Sequence, residues 1–177
     1  MLLGTEAAEF RLLEMIHDIF ESRFTDFIMP RITALGNAGI IWIILAAVLL
    51  CIPRYRRCGA VLAAGLLAGL VFGNLLIKPL IHRPRPCWLY EVQLITKIPS
   101  DYSFPSGHTY SSFTAAFLLL RYNKRWGIAA LALAVLIAFS RMYLYAHFPT
   151  DVLGGIVLAV AVSTAVTAID KRIETKE

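Results

Sequence analysis

Long apolar stretches broken by short charged ones set the pattern along this chain. Residues 35–52, 58–81, 106–120, 126–145 and 150–169 are almost wholly apolar, and Lys78, Arg141 and Asp151 are their charged exceptions. A membrane-spanning helix needs roughly 20 such residues, so each stretch predicts a span. The N-terminal stretch differs. Residues 7–32 carry Glu9, Arg11, Glu14, Asp18, Glu21, Arg23, Asp26 and Arg31, yet Leu12, Leu13, Ile16, Ile19 and Phe20 recur at helical spacing. That periodicity predicts a helix with one apolar face. It suits either an amphipathic helix lying in the interface or a short, tilted first span. No basic segment precedes an apolar core, so no cleaved signal peptide is expected.

The fold expected is therefore all-α, a polytopic membrane bundle of five to six transmembrane helices with an amphipathic N-terminal helix. One domain is expected over residues 1–177, with residues 1–34 as the amphipathic segment and 35–170 as the bundle. Composition agrees, with 58% hydrophobic and only 16% charged residues, less charge than soluble domains carry. Gly65, Gly69 and Gly73, spaced by four, predict close helix–helix packing. Cys51, Cys58 and Cys87 have no metal-site spacing, and no disulfide is expected.

Charge sets the orientation. The basic runs at 53–57 and 121–125 and the tail from Asp170 fall on one face if the spans alternate. Short loops rich in Lys and Arg are retained in the cytoplasm. The opposite, external face then holds residues 82–104 and 146–149. It should be poor in cations, yet Lys78, Arg83 and Arg85 gather there, and Arg141 lies near the external end of its span. Arg83 or Lys97 alone reads as a side chain reaching for outer headgroups. Lys78, Arg85 and Arg141 together, at membrane depth, point to a function.

The chemistry lies in three blocks. Lys78 is followed after six residues by Arg85-Pro86; Pro105-Ser106-Gly107-His108 comes next; Ser140-Arg141 is followed by His147 and Asp151. Two arginines offer planar forks of donors to a phosphate, and Lys78 adds a point charge. A helix starting at Ser106 presents free N–H groups and a positive dipole end to an anion. Ser106 can cap that helix or donate to phosphate, and Gly107 admits close approach. Pro149 suits a helix start. Asp151, in the first turn, could reach back and orient the imidazole of His147.

In order and internal spacing these blocks resemble the signature of the type 2 phosphatidic acid phosphatase superfamily. Residues 36–170 look like a small bacterial member of it. The resemblance implies that His147 attacks phosphorus and forms a phosphohistidine. It implies that Asp151 orients His147, and that His108 protonates the leaving oxygen and then activates water. Lys78, Arg85, Ser106, Gly107 and Arg141 would hold the phosphate. It implies no metal and no cofactor. Asp151 is the one carboxylate within the blocks, whereas two-metal phosphatases need several.

The expected protein is an integral membrane lipid phosphatase of the bacterial cytoplasmic membrane, with its site facing the periplasm or exterior. The bilayer and a lipid phosphate are its partners. No nucleic-acid motif is present, and nothing calls for an obligate protein partner. The resemblance suggests undecaprenyl pyrophosphate, hydrolysed to undecaprenyl phosphate, with phosphatidylglycerophosphate or phosphatidic acid as the alternatives. A lipid-phosphate binding or transport protein without catalysis is the other class, and intact His108, His147 and Asp151 argue against it.

Overall fold

The computed structural model describes residues 5–97 and 99–175. They form helices joined by short loops, with no strand among the described residues. Helix α1 spans Glu6–Phe20 and α2 Arg23–Leu35. Helix α3 spans Ile40–Cys51 and α4 Arg56–Gly69. The last runs through a π-helical stretch, Leu70–Ile77, into α5, Lys78–Ile81. A short α6, Pro86–Leu89, precedes a loop. Helices α7 (Gly107–Tyr122), α8 (Lys124–Tyr143) and α9 (Pro149–Glu174) complete the chain.

Local chemistry sets most boundaries. Ser22 caps α2, accepting from Thr25 N–H at 3.1 Å. Asn123 caps α8, accepting from Arg125 and Trp126 N–H at 3.0 and 3.2 Å. Ser106 is the N-cap of α7, and Pro149 opens α9, where its missing N–H costs nothing.

The N-terminal stretch is thus two helices, divided at Glu21–Ser22, where the Ser22 cap starts a new one. The buried residues of α1 are Glu6, Glu9, Phe10 and Leu13. Leu12, Ile19 and Phe20, assigned to the apolar face, are exposed. The acids turn inward because a buried arginine waits for them.

Helix α7 is the centre of the bundle, with residues 109–116 all buried, and α4, α8 and α9 pack around it. The four-residue glycine repeat makes this possible. A Cβ at Gly65 would lie 2.6 Å from Leu118 Cδ1, and one at Gly69 would run into the Tyr110 ring. One at Gly73 would meet Leu158 of α9 at 3.2 Å. Tyr110 donates to the Gly65 carbonyl, and Trp42 Nε1 of α3 donates to Ser112 Oγ at 3.0 Å. Polar contacts of this kind tie helices together where lipid removes the hydrophobic drive.

The run Pro53–Leu89 and helices α8 and α9 are long and apolar enough to cross a membrane. Helices α2 and α3, bent by 41° at their junction, add a fourth span if they act as one. Length and composition thus give three to four spans among the described residues, against the five to six expected. Helix α7 accounts for part of the difference. Its 16 residues extend only about 24 Å at 1.5 Å per residue.

Each end of the bundle carries its own cluster of cations around a carboxylate. At one end Arg57 and Arg121 both pair with Asp170, at 2.8 Å each, so the basic loops and the C-terminal tail do share a face. At the other end lie residues 82–97, 99–104 and 144–148.

Candidate active site

The three sequence blocks converge at that second end around a cavity of about 970 Å³. Lys78, Arg85, Gly107, His108, Arg141 and His147 all line it. The cavity continues as a groove between α3 and α4, past Ile43, Ala46 and Leu70 to Leu50 and Ala63. It is therefore cationic at one end and apolar along its length.

His147 is 1% exposed. Arg85 Nη1 lies 3.1 Å from its Nε2. A guanidinium can only donate, so Nε2 accepts, and the proton of the neutral ring sits on Nδ1. Nδ1 faces Ser103 Oγ at 3.3 Å and Asp151 Oδ2 at 3.6 Å. The direct link expected between Asp151 and His147 is thus longer than a hydrogen bond, and Ser103 bridges it, donating to Asp151 Oδ2. That carboxylate oxygen also accepts from Phe148 N–H at 2.8 Å. Burial foremost, then the charges of Arg85 and Arg141, hold the His147 imidazole well below its ordinary value of 6.5. It is neutral at neutral pH, with a lone pair directed at the cavity's cations.

His108 stands across the cavity. Its Nε2 bonds Asn37 Oδ1 at 3.0 Å. The turn Gly36–Gly39 is shaped around this ring, since a Cβ at Gly36 would lie 2.8 Å from His108 Cδ2. Ala38 and Gly39 take left-handed φ of 51° and 67° to make the turn. Arg141 donates Nη1 to Thr33 Oγ1 at 2.7 Å, and its Nε finds no partner among the described residues. Gly107 meets the cavity, and a Cβ there would lie 3.3 Å from Asn74 Oδ1. Ser106 is turned away: its Oγ accepts from Thr109 Oγ1 at 3.0 Å and, at 3.4 Å, from Thr109 N–H. Of the two roles open to Ser106, capping is the one it fills.

A carboxylate outside the blocks completes the cluster. Asp101 pairs with Lys78 and, at 2.7 Å, with Arg85 Nη2. Its backbone carbonyl accepts from Arg85 Nε at 2.7 Å. Burial would raise this carboxyl, but Lys78 and Arg85 outweigh it and hold the group at about 2. Asp101 is a fixed anion on the two cations best suited to a phosphate. Nothing in its loop's sequence marks it.

Arg83 corrects a reading. It does not reach for headgroups. It is 0% exposed and donates to Asp151 Oδ1 at 2.6 Å and Glu9 Oε1 at 2.8 Å.

Residues 58–174 match the PAP2 superfamily. The chain belongs to that family. It is 31% identical over 156 residues to the undecaprenyl-diphosphatase BcrC of Bacillus subtilis, covering 86% of this chain and 79% of that one. It is 33% identical over 179 residues to phosphatidylglycerophosphatase B of the same organism, covering 92% and 77%. An undecaprenyl-diphosphatase of Sulfolobus acidocaldarius is 34% identical over 117 residues, and the match spans 65% of this chain and 56% of that protein. The crystal structure of a transmembrane PAP2-type phosphatidylglycerolphosphate phosphatase from Bacillus subtilis superposes with a TM-score of 0.78 at 25% identity, covering 97% of this chain and 88% of that one. The chain is accordingly an integral membrane phosphatase of the PAP2 type.

Proposed function

We propose that this PAP2 phosphatase removes the terminal phosphate of a polyprenyl pyrophosphate, best undecaprenyl pyrophosphate, through a phosphohistidine on His147. The observation that carries this reading is the continuity of the cavity. Its cationic end suits the phosphates, and the apolar groove between α3 and α4 suits a long hydrocarbon tail.

The phosphate displaces Asp101 and takes the donors of Lys78, Arg85 and Arg141. These cations neutralise the equatorial oxygens, the task a metal performs elsewhere. His147 Nε2 attacks phosphorus in line as the bond to the lipid-side oxygen breaks. His108 gives that oxygen its proton. The Nδ1–H of His147 is held by Ser103 and Asp151, which stabilise the cationic phosphohistidine. Neutral His108 then takes a proton from water, the hydroxide attacks phosphorus, the P–N bond breaks, and inorganic phosphate leaves with His147 restored.

We place the site on the outer side of the bacterial cytoplasmic membrane, with the Arg57–Arg121–Asp170 end inside. The bent α2–α3 pair, α4–α5, α7, α8 and α9 make five spans in one domain. The relative named phosphatidylglycerophosphatase B, and the fold match to a phosphatidylglycerolphosphate phosphatase, support phosphatidylglycerophosphate as a second substrate.

The test is phosphate release in detergent micelles from undecaprenyl pyrophosphate, phosphatidylglycerophosphate and phosphatidic acid. The highest kcat/KM is expected for the first. A preference for either glycerolipid would replace the substrate, and binding without release from all three would leave a lipid-phosphate binding protein.

A further inference from the structure

The charge network behind Asp151 has no part in the mechanism above. Helix α5 ends at His82, whose φ of 52° turns the chain and sends Arg83 inward. Arg83 Nη1 donates to Asp151 Oδ1 and to Thr150 Oγ1, both at 2.6 Å. Its Nη2 donates to Glu9 Oε1 at 2.8 Å. Glu9 Oε2 in turn accepts from Thr150 N–H at 3.1 Å and from Thr150 Oγ1 at 2.6 Å. The guanidinium lies 4.4 Å from the centre of the Phe148 ring, and Glu6 Oε1 is 3.8 Å from Arg83 Nε. The Arg83 carbonyl accepts from Ser103 N–H at 2.8 Å. Arg83 is no part of the cavity wall and has no route to a phosphate.

A buried ion cluster can be purely structural, and such clusters add little net stability. This one has a directional consequence. Arg83 occupies Oδ1 of Asp151, so Oδ2 is the oxygen left for Ser103 and the imidazole of His147. The Arg83 backbone fixes Ser103 from the other side. Glu9 clamps both Arg83 and the first turn of α9, which carries Asp151. We propose that Glu9 and Arg83 are positioning residues for the Asp151–Ser103–His147 relay, so that α1 forms the back wall of the active site. Helix α1 lies outside residues 58–174, the part matched to the family.

The proposal rests on the reading of Asp151 given above, and a double-mutant cycle separates the two. The probe is farnesyl pyrophosphate in detergent micelles, with full-length protein and thermal unfolding followed for each variant. Glu9→Gln leaves Arg83 beside two carboxylates, Glu6 and Asp151, and should fold. Its kcat should fall about tenfold, a change on the scale of coupling within one charged network, with KM within about twofold of wild type. Arg83→Lys should show the same split. Glu9→Asp, which keeps the charge, should recover part of the loss. In an Asp151→Asn background, Glu9→Gln should cost nothing further. Equal losses in both backgrounds, a loss carried by KM, or wild-type kcat in Glu9→Gln would overturn the proposal. Wild-type kcat in Asp151→Asn alone would sink the role of Asp151 and this proposal with it. Should Asp151→Asn turn over too slowly for the cycle, the kcat–KM split and the Glu9→Asp recovery decide.

Discussion

Arg85 Nη1 stands 3.1 Å from His147 Nε2, so the nitrogen suited to attack phosphorus is held as a lone pair by a residue suited to bind the phosphate. In the mechanism proposed above, one guanidinium would serve both partners of the reaction. Substrate arrival would turn that contact into a phosphate contact and release the nucleophile beside the phosphorus.

The same guanidinium is held by Asp101, an internal competitor for the phosphate. Asp101→Asn should lower KM for a lipid pyrophosphate, and Ki for inorganic phosphate, by up to about fivefold. That corresponds to the ~1 kcal/mol of a solvent-screened ion pair. Because the carboxyl is held at about 2, the competition persists across the assay range, and acidification to about pH 4 should not relieve it. A raised KM in Asp101→Asn would show instead that Asp101 organises Arg85 for substrate.

The pH dependence of kcat/KM reports the free enzyme. Attack needs neutral His147, and burial with the cations around it lowers this group well below 6.5. A lowered value means protonation only at lower pH, so the acid limb assigned to His147 should fall below pH 6.5. Folding stability linked to this neutral imidazole is present above 6.5 and declines as pH drops beneath it, because the unfolded chain takes up the proton first. A limb above 6.5 that disappears in no other variant would contradict the neutral ground state.

Asn37 holds His108 at 3.0 Å. Asn37→Ala should lower kcat about tenfold through the loss of an oriented acid, whereas Asn37→Asp, which accepts the same hydrogen bond, should retain more activity. Steady-state kinetics on both variants decide this, and wild-type kcat in Asn37→Ala would remove Asn37 from the mechanism.

Much of this site was legible in the chain, and the limits have physical causes. Lys78, Arg85 and Arg141 stood out because charge at membrane depth is costly, and His108, His147 and Asp151 stood out through their spacing at two helix starts. The glycines at 65, 69 and 73 were legible because helical period puts them on one face. Ser103, Asp101 and Asn37 lie in loops or turns, where no period signals direction. Glu9 and Arg83 meet across 74 positions of sequence, so neither reveals the other locally. An acid on a helix that also carries exposed apolar residues looks solvated until its buried cation is seen. The apolar period read in the N-terminal stretch ends at Phe20, and the cap at Ser22 that starts a second helix went unread.

Sidedness is open to a labelling experiment. Single cysteines at Glu91 and Asn123, placed in a cysteine-free background, can be probed on intact cells with a membrane-impermeant maleimide. The first should react and the second should be spared. The reverse pattern would put the site on the cytoplasmic leaflet and remove the case for an externally released pyrophosphate.

The central claim is the covalent intermediate on His147, and rapid-quench trapping tests it most directly. Wild-type protein is mixed with a polyprenyl pyrophosphate radiolabelled in its terminal phosphate and quenched in alkali. Label should appear on the protein, survive alkali and be lost in acid, as a phosphoramidate requires. His147→Ala should carry no label, and its kcat should fall at least about a thousandfold. Label that resists acid, or that persists in His147→Ala, would contradict the mechanism.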